Sequence, residues 1–472
     1  MLRERYDPMN LFEYIPALGM ETDAVLTQLD TLLDDDVLFQ AVKADLLRRF
    51  PRTSSFGRPS TPVEVILRML VVKHLYHWSY EQTEQWVSDS LVLRQFCRIY
   101  TAKAPDDTTL LRWANLIQPQ TLDRLLDHVV ALAQKHHVTR GRKLRLDSTV
   151  VETNVHYPVD STLLADGVRV LARTIRRAKP LLQDSVERAR TLFRDRSRRV
   201  RQVTKELIDA ARRRGEQAAQ DVKERYEQLL DLTEQVVAQA QQVQHHLQQH
   251  AEQQADRLAQ RLNETLRTFV PRVEQVIQQT TRRVLEGEQV PASEKLVSLF
   301  EPHTAIIRKG KAGKPVEFGR VLWLGETEGG IITQAKILEG NPDDAAQFLP
   351  SLQTHAQQFG RPPNLVAGDG KLATPTNERE AQQRGVKHVV LPRPGRKTAV
   401  RQEYERQRWF RVGRDWRAGI EGRISGLKRR HGLRRCRYHG DEGMARWVGW
   451  GVIAHDLRVI AQHEAAKASR QG

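Results

Sequence analysis

At 472 residues the chain is too long for one compact core, so two or more domains are expected and a single small module is excluded. Hydrophobic residues at 39% and charged residues at 28% exclude a wholly disordered or fibrous chain. Lys and Arg exceed Asp and Glu by 75 − 58 = 17, and a field of that sign attracts polyanions, which makes nucleic acid the leading partner. An acidic membrane surface is the rival, but no run of about 18 apolar residues occurs and no basic segment leads into an apolar one at the N-terminus. A soluble, intracellular protein is expected. Cys97 and Cys436 stand far apart without CxxC spacing, so neither a disulfide framework nor a cysteine zinc site is indicated.

In chain order, residues 61–118 read as compact helices. Thr61, Pro62 and Glu64 supply an N-cap, a first-turn proline and a capping-box acid. Ser79 and Gln82 repeat the capping-box spacing, and Thr108-Thr109 after Pro105-Asp106-Asp107 opens a further segment. Short helices with tight joints fit a helix-turn-helix-like unit, and fit an ordinary helical bundle equally well. The run KLRLDSTVV, 143–151, is rich in β-branched residues and predicts a strand carrying Asp147.

Residues 170–290 change character: Arg, Gln, Glu and Ala dominate, and between Pro180 and Pro271 only Gly215 interrupts a helix-favouring stretch. A single helix of about 90 residues would be roughly 135 Å long, so a folded-back helical hairpin is expected. Its apolar positions, among them Leu229, Leu230, Leu232, Val236, Val237 and Leu262, are sparse, which suits a solvated antiparallel coiled coil or packing against a partner chain. Strands follow around 305–308, 316–324 and 331–338, then a helix over 343–359 and apolar strands at 364–367 and 386–391 that bracket a polar helix. A long helical tail ends the chain. The reading is a mixed α/β core split by a helical insert.

Three acids stand where such a core places them: Asp147 within the first strand, Asp369 directly after the strand NLVAG, and Glu421 in the helical stretch WRAGIEGRISGLKRR. Magnesium prefers carboxylate oxygens, and two such ions can serve phosphodiester displacement. Asp369 is flanked by Gly368 and Gly370, and from Arg393 to Arg437 there are 16 Lys or Arg against four acids, Glu403, Glu405, Asp415 and Glu421. An acid in that setting faces a phosphate-attracting surface. Asp160 and Asp166 also follow the first strand and are rivals for the first acid; His156, Tyr157 and His303 are further candidates to line the site. Arg308, Lys309, Lys311, Lys314 and Arg320 read either as DNA-backbone contacts or as a solvated hairpin.

These motifs, LRLDSTVVETNVHYPVDSTLL, LVAGDGKLAT and RAGIEGRISGLKRRHGLRRCRYHG, resemble the DDE transposases of bacterial insertion sequences, in particular the ISNCY-type group related to the InsH-like branch. Related transposases carry Tyr, two residues, Arg, three residues, Glu, six residues, Lys. Here Arg417, Glu421 and Lys428 match the last three positions, and Arg414 stands in place of the Tyr. Spacings of four and seven put the three matching residues on one helix face.

The resemblance implies an RNase H-like mixed-sheet catalytic core interrupted by a long helical insertion and preceded by an all-α N-terminal DNA-binding domain. The corresponding boundaries are 1–135 for the DNA-binding domain, 140–168 and 293–465 for the two parts of the core, and 169–292 for the insertion. It further implies Asp147, Asp369 and Glu421 as catalytic metal ligands for two Mg2+ or Mn2+ ions, and Arg414, Arg417, Lys428, Arg429 and Arg430 as DNA contacts. The activity implied is cleavage at insertion-sequence ends and strand transfer into target DNA by a homodimer on double-stranded DNA, cytoplasmic and nucleoid-associated when bound. A non-catalytic DNA-binding protein would hold DNA in chelator and never nick it. An RNase H-like host nuclease would cut DNA without joining ends.

Overall fold

The computed structural model describes residues 23–48, 60–100, 102–182, 189–254, 256–311 and 314–470. Contacts divide the chain into two units: Met1–Asn154 with Gly319–Gly472, and Val155–Phe318.

Among its described residues the first unit opens with seven helices: α1 (Ala24–Leu33), α2 (Asp36–Leu47), α3 (Val63–Tyr76), α4 (Tyr80–Asp89), α5 (Leu91–Phe96), α6 (Asp107–Ala114) and α7 (Pro119–Lys135). Most of the starts are set by side chains that accept from otherwise unpaired backbone N–H groups. Asp35 accepts from Val37 and Leu38, Asp106 accepts from Thr109, and Ser79 with Gln82 forms the expected reciprocal capping box. At α3 the expectation fails by one residue. Pro62 takes an extended ψ of 142° and itself occupies the cap position without a side-chain cap bond. The Thr61 hydroxyl is therefore one place too far back.

Every residue of α3 except Glu64 and Tyr76 is buried. A helix buried on all sides belongs to a core, and α3 is thus not a helix that can lie in a DNA groove. Its buried Arg68 is neutralised by Asp30, by Asp34 at 2.6 Å and by Glu64 at 3.4 Å.

Strand β1 (Lys143–Glu152) leads into the sheet. The other strands are β2 (Ala305–Lys311), β3 (Lys314–Thr327), β4 (Ile332–Leu338), β5 (Leu365–Ala367) and β6 (His388–Val390), in the order β2-β3-β1-β5-β6 with β4 also paired to β3. β1 and β4 run antiparallel to β3, whereas β1–β5 and β5–β6 are parallel. β3 extends through Gly325 to Thr327, beyond the expected end at Leu324.

The crossover helices of the parallel half are α13 (Ala345–Phe359) and α14 (Pro375–Gln383), followed by α15 (Ala399–Arg406), α16 (Arg408–Arg430) and α17 (Gly440–Ala468). α16 lies close on the sheet because Gly413 has no side chain: a Cβ there would stand 2.6 Å from Val390 Cγ2. α17 carries Trp447, Trp450, Ile453 and Leu457 into one apolar core with α1, α3, α7 and β4.

The second unit contains α8 (Asp160–Leu182), α9 (Ala189–Leu192), α10 (Ser197–Ala211), α11 (Glu216–Gln254) and α12 (Arg257–Thr280). The folded-back arrangement is present: α11, 39 residues and about 58 Å long at 1.5 Å per residue, joins α12 through a short link capped by Asp256. Pro180 and Pro271 both lie inside helices, and Gly215, at φ +110°, marks the break between α10 and α11. The unit is better packed than a solvated coiled coil. Leu229, Val237 and Leu262 meet Leu164, Leu171 and Val203 from α8 and α10, so the sparse apolar positions of each helix combine into one core.

Candidate active site

β1 is buried on both faces around Leu144, Leu146, Val150 and Val151, which rigidly holds the residue between them. The pairing of β1 with β5 ends at Arg145 opposite Ala367. Asp147 and Asp369 each lie two residues beyond that pair (147 − 145 and 369 − 367), Asp147 in the middle of β1 and Asp369 in the turn that follows β5. The turn that holds Asp369 lies at the carboxyl end of β5, and in open α/β sheets such ends are where ligands bind. Asp147 sits opposite Leu324 of β3 and its side chain is 17% exposed. Asp369 caps a short 3-10 turn, with its carboxylate accepting from the Lys371 N–H at 3.0 Å. Neither neighbouring glycine has a positive φ. They are small for packing reasons: a Cβ on Gly368 would meet Leu372 Cδ1 at 2.4 Å, and one on Gly370 would meet the Pro392 carbonyl at 2.8 Å.

Glu421 projects from the middle of α16 and is 70% exposed. Arg417, one turn earlier, links it to the strand. Its guanidinium donates to Asp147 Oδ2 at 3.0 Å and to Glu421 Oε1 at 3.4 Å. A positive charge thus stands between two of the three acids, and the spacing of four residues does place Arg417 and Glu421 on one face. Among the described residues no three His, Cys, Asp or Glu side chains are grouped closely enough to form a metal cage.

The remaining basic candidates divide. Arg414 is exposed and bonded to Asp415 at 3.3 Å, while Arg429 and Arg430 are exposed and Lys428 is half-buried in the last turn of α16. Cations there also complement the negative end of the helix dipole. Arg320 is a structural cation, not a surface one: it is buried, donates to the Leu338 carbonyl at 3.0 Å and pairs with Asp441. The side chains of Lys309, Lys311 and Lys314 lie outside the described residues. Asp160 and Asp166, the rival acids, belong to the second unit, where Asp160 pairs with Arg283 at 2.6 Å and Asp166 with Arg169 at 2.8 Å. His156, Tyr157 and His303 are in the same unit, and His303 faces Glu301 at 3.5 Å.

What fixes α16 over the sheet was not foreseen. Glu326 of β3, fully buried, accepts from Arg145 of β1 at 2.9 and 2.6 Å and from Arg423 of α16 at 3.1 Å. Arg145 also donates to the Trp416 carbonyl and lies 4.9 Å from the Trp416 ring centroid. This cluster ties both strands to the helix that carries Arg417 and Glu421. The one clue available in the sequence is a charged residue at each end of an apolar strand pattern, Arg145 in KLRLD and Glu326 in LWLGET. Beside it, burial pushes the Asp456 carboxyl well above the usual carboxylate range, despite the Ile332 N–H that it accepts at 3.0 Å.

Two segments match known families. Residues 18–116 match a family model described as a transposase domain (DUF772), and residues 376–461 match a transposase DDE domain. The second match contains Glu421, Arg417 and Lys428 and begins after Asp369. Neither a curated protein nor a solved structure matches the chain. Among the described residues no helix is long and apolar enough to cross a membrane. Transposase segments thus stand at both ends of the first unit, and together they support a DDE transposase of the insertion-sequence type.

Proposed function

We propose that the chain cuts DNA at the ends of an insertion sequence and joins the freed 3′ ends to target DNA, with Asp147, Asp369 and Glu421 as its metal-binding carboxylates. The observation that carries this reading is that Asp147 and Asp369 each follow the paired Arg145 and Ala367 of adjacent parallel strands by two positions, with Glu421 tied to Asp147 through Arg417. The strand pattern supports an RNase H-like core: three antiparallel strands, β4, β3 and β1, continue into two parallel ones, β5 and β6. Domain roles follow the same reading, with the N-terminal helices serving DNA ends and the helical insertion lying between the two parts of the core.

The three side chains offer only oxygen donors, the chemistry Mg2+ or Mn2+ prefers, and a bound ion would have to draw them together, since in this structure they form no cage. Arg417 between two of them holds a positive charge where unpaired carboxylates would repel one another. Two such ions, when bound, supply activation of the attacking oxygen and charge stabilisation of the leaving one. The chain's own residues do the rest. β1 holds Asp147 and the turn after β5 holds Asp369, and α16 presents the third carboxylate together with Arg414, Arg417, Lys428, Arg429 and Arg430 for phosphate contact. Holding two transposon ends calls for two copies of the chain.

The test is incubation of the full chain with labelled supercoiled and linear DNA in magnesium, manganese or EDTA, beside Asp147→Ala, Asp369→Ala and Glu421→Ala. Metal-dependent nicking is expected, lost in each variant while folding and DNA retention persist. Full activity in one variant removes that residue from the site, and retention without cutting in any metal refutes the enzyme. Nicking without strand-transfer products points to a host-type nuclease.

A further inference from the structure

Outside the residues assigned to the acidic site, the first unit holds a cavity of about 520 Å³ lined by Lys73, Trp78, Tyr80, Arg437, Arg446 and Trp447, among others. That size is in the range of small-ligand pockets. Lys73, on the core helix α3, is only 2% exposed, and its Nζ lies 4.6 Å from the Tyr80 ring centroid and 5.2 Å from those of Tyr438 and Trp447. The two tyrosine hydroxyls are hydrogen-bonded to each other at 2.6 Å, which locks those walls. Arg437 is exposed, and Arg446 reaches Glu442 at 3.2 Å. Trp78 also stacks on Tyr76 at 4.7 Å and on Trp86 at 5.8 Å, and the two outer rings are largely exposed.

We propose that this pocket receives one unpaired nucleotide, its base against the aromatic walls and its phosphate on Arg437 and Arg446, and that the Tyr76–Trp78–Trp86 ladder stacks the adjoining base. Aromatic faces joined to cations are the combination that holds single-stranded nucleic acid without needing its sequence. The electrostatics agree. Burial, and after it the neighbouring Arg437, push Lys73 down to about 7, and an anionic phosphate seated beside it would favour its charged form. The two family matches meet here: Lys73, Trp78 and Tyr80 lie in 18–116, and Arg437, Arg446 and Trp447 in 376–461. The proposal rests on the DNA reading above for the source of the nucleotide and not on the three carboxylates.

The full chain is titrated, in EDTA, into labelled blunt duplex, the same duplex with a short oligothymidine tail, and thymidine monophosphate alone, following anisotropy and tryptophan fluorescence. The tail is expected to tighten binding about tenfold and to quench tryptophan emission. Arg437→Gln and Trp86→Ala, both at exposed positions, should lose most of that preference while keeping the parent's melting temperature. Competition by thymidine monophosphate assigns the pocket to a nucleotide of any source; a tail effect without competition assigns it to a nucleotide within a strand. Equal affinity for tailed and blunt DNA with no quenching by the monophosphate, or a tail effect kept by both variants, overturns the proposal. Cutting of transposon ends without a tail effect refutes the pocket alone, and a tail effect without cutting refutes the carboxylate site alone.

Discussion

Replacing Glu326 by alanine should unhinge α16 from the sheet. The carboxylate is fully buried, bound by Arg145 at 2.9 and 2.6 Å and by Arg423 at 3.1 Å. Its removal leaves two guanidinium groups sharing a low-dielectric place without their counter-charge. Breaking a buried pair from one side typically costs about 3–5 kcal/mol. At roughly 2–4 °C per kcal/mol for a large domain, the melting temperature should fall by on the order of 10 °C. Calorimetric melts of the parent, Glu326→Ala and Glu326→Gln measure this directly, and glutamine, which keeps the shape and an acceptor, should lie between the other two. Because Arg417 and Glu421 ride on the same helix, metal-dependent cutting by Glu326→Ala should also be weakened at temperatures where the variant is folded. A loss below about 1 kcal/mol, the range of exposed ion pairs, would show that the cluster does not hold the helix in place.

Acid should destabilise the first unit. Burial pushes His74, His431 and His455 below the ordinary histidine value, His431 to about 4 and His455 to about 3. Each stays neutral when folded and charges when unfolded, so as pH falls from about 6.5 towards 4 stability drops by about 1.4 kcal/mol per unit per histidine. His77 and His355 are lowered by burial as well, whereas Asp456, with its raised value, opposes them with a proton held by the folded chain, so melting temperatures measured from pH 6.5 to 5 should fall, with net proton uptake on unfolding; a flat profile refutes the assignment. Gly413→Leu should force α16 away from β6, costing about 1–3 kcal/mol and reducing DNA cutting, and an unchanged melt with full activity would contradict the close approach. Leu266→Ala in the core of the second unit should cost about 2–5 kcal/mol, read as faster hydrogen exchange across α11 and α12; protection equal to the parent's would mean that these helices do not share a core.

The element pattern was legible in the sequence because its causes are local. Period-two and β-branched patterning marked β1, the Ser79–Gln82 box marked the start of α4, and composition marked the long helices of 170–290. The spacing of Arg417 and Glu421 placed both on one helix face. The motifs pointed to DDE transposases of insertion sequences, which the two matched segments support without reaching the ISNCY-type branch. What the sequence could not contain is whatever depends on residues far apart in the chain. The register that sets Arg145 opposite Ala367, each two positions before one of the acids, joins strands more than 200 residues apart, and the Glu326 cluster draws on β1, β3 and α16. The helices of the second unit each looked too poor in apolar residues to fold alone, and only their assembly shows that the positions add up. Arg320 looked like a surface cation because its charge is visible in the sequence, whereas its burial beside Asp441 is a property of the fold. A side chain's type is fixed by the sequence, but its solvent, its counter-ion and so its chemistry are decided by what the tertiary structure packs against it.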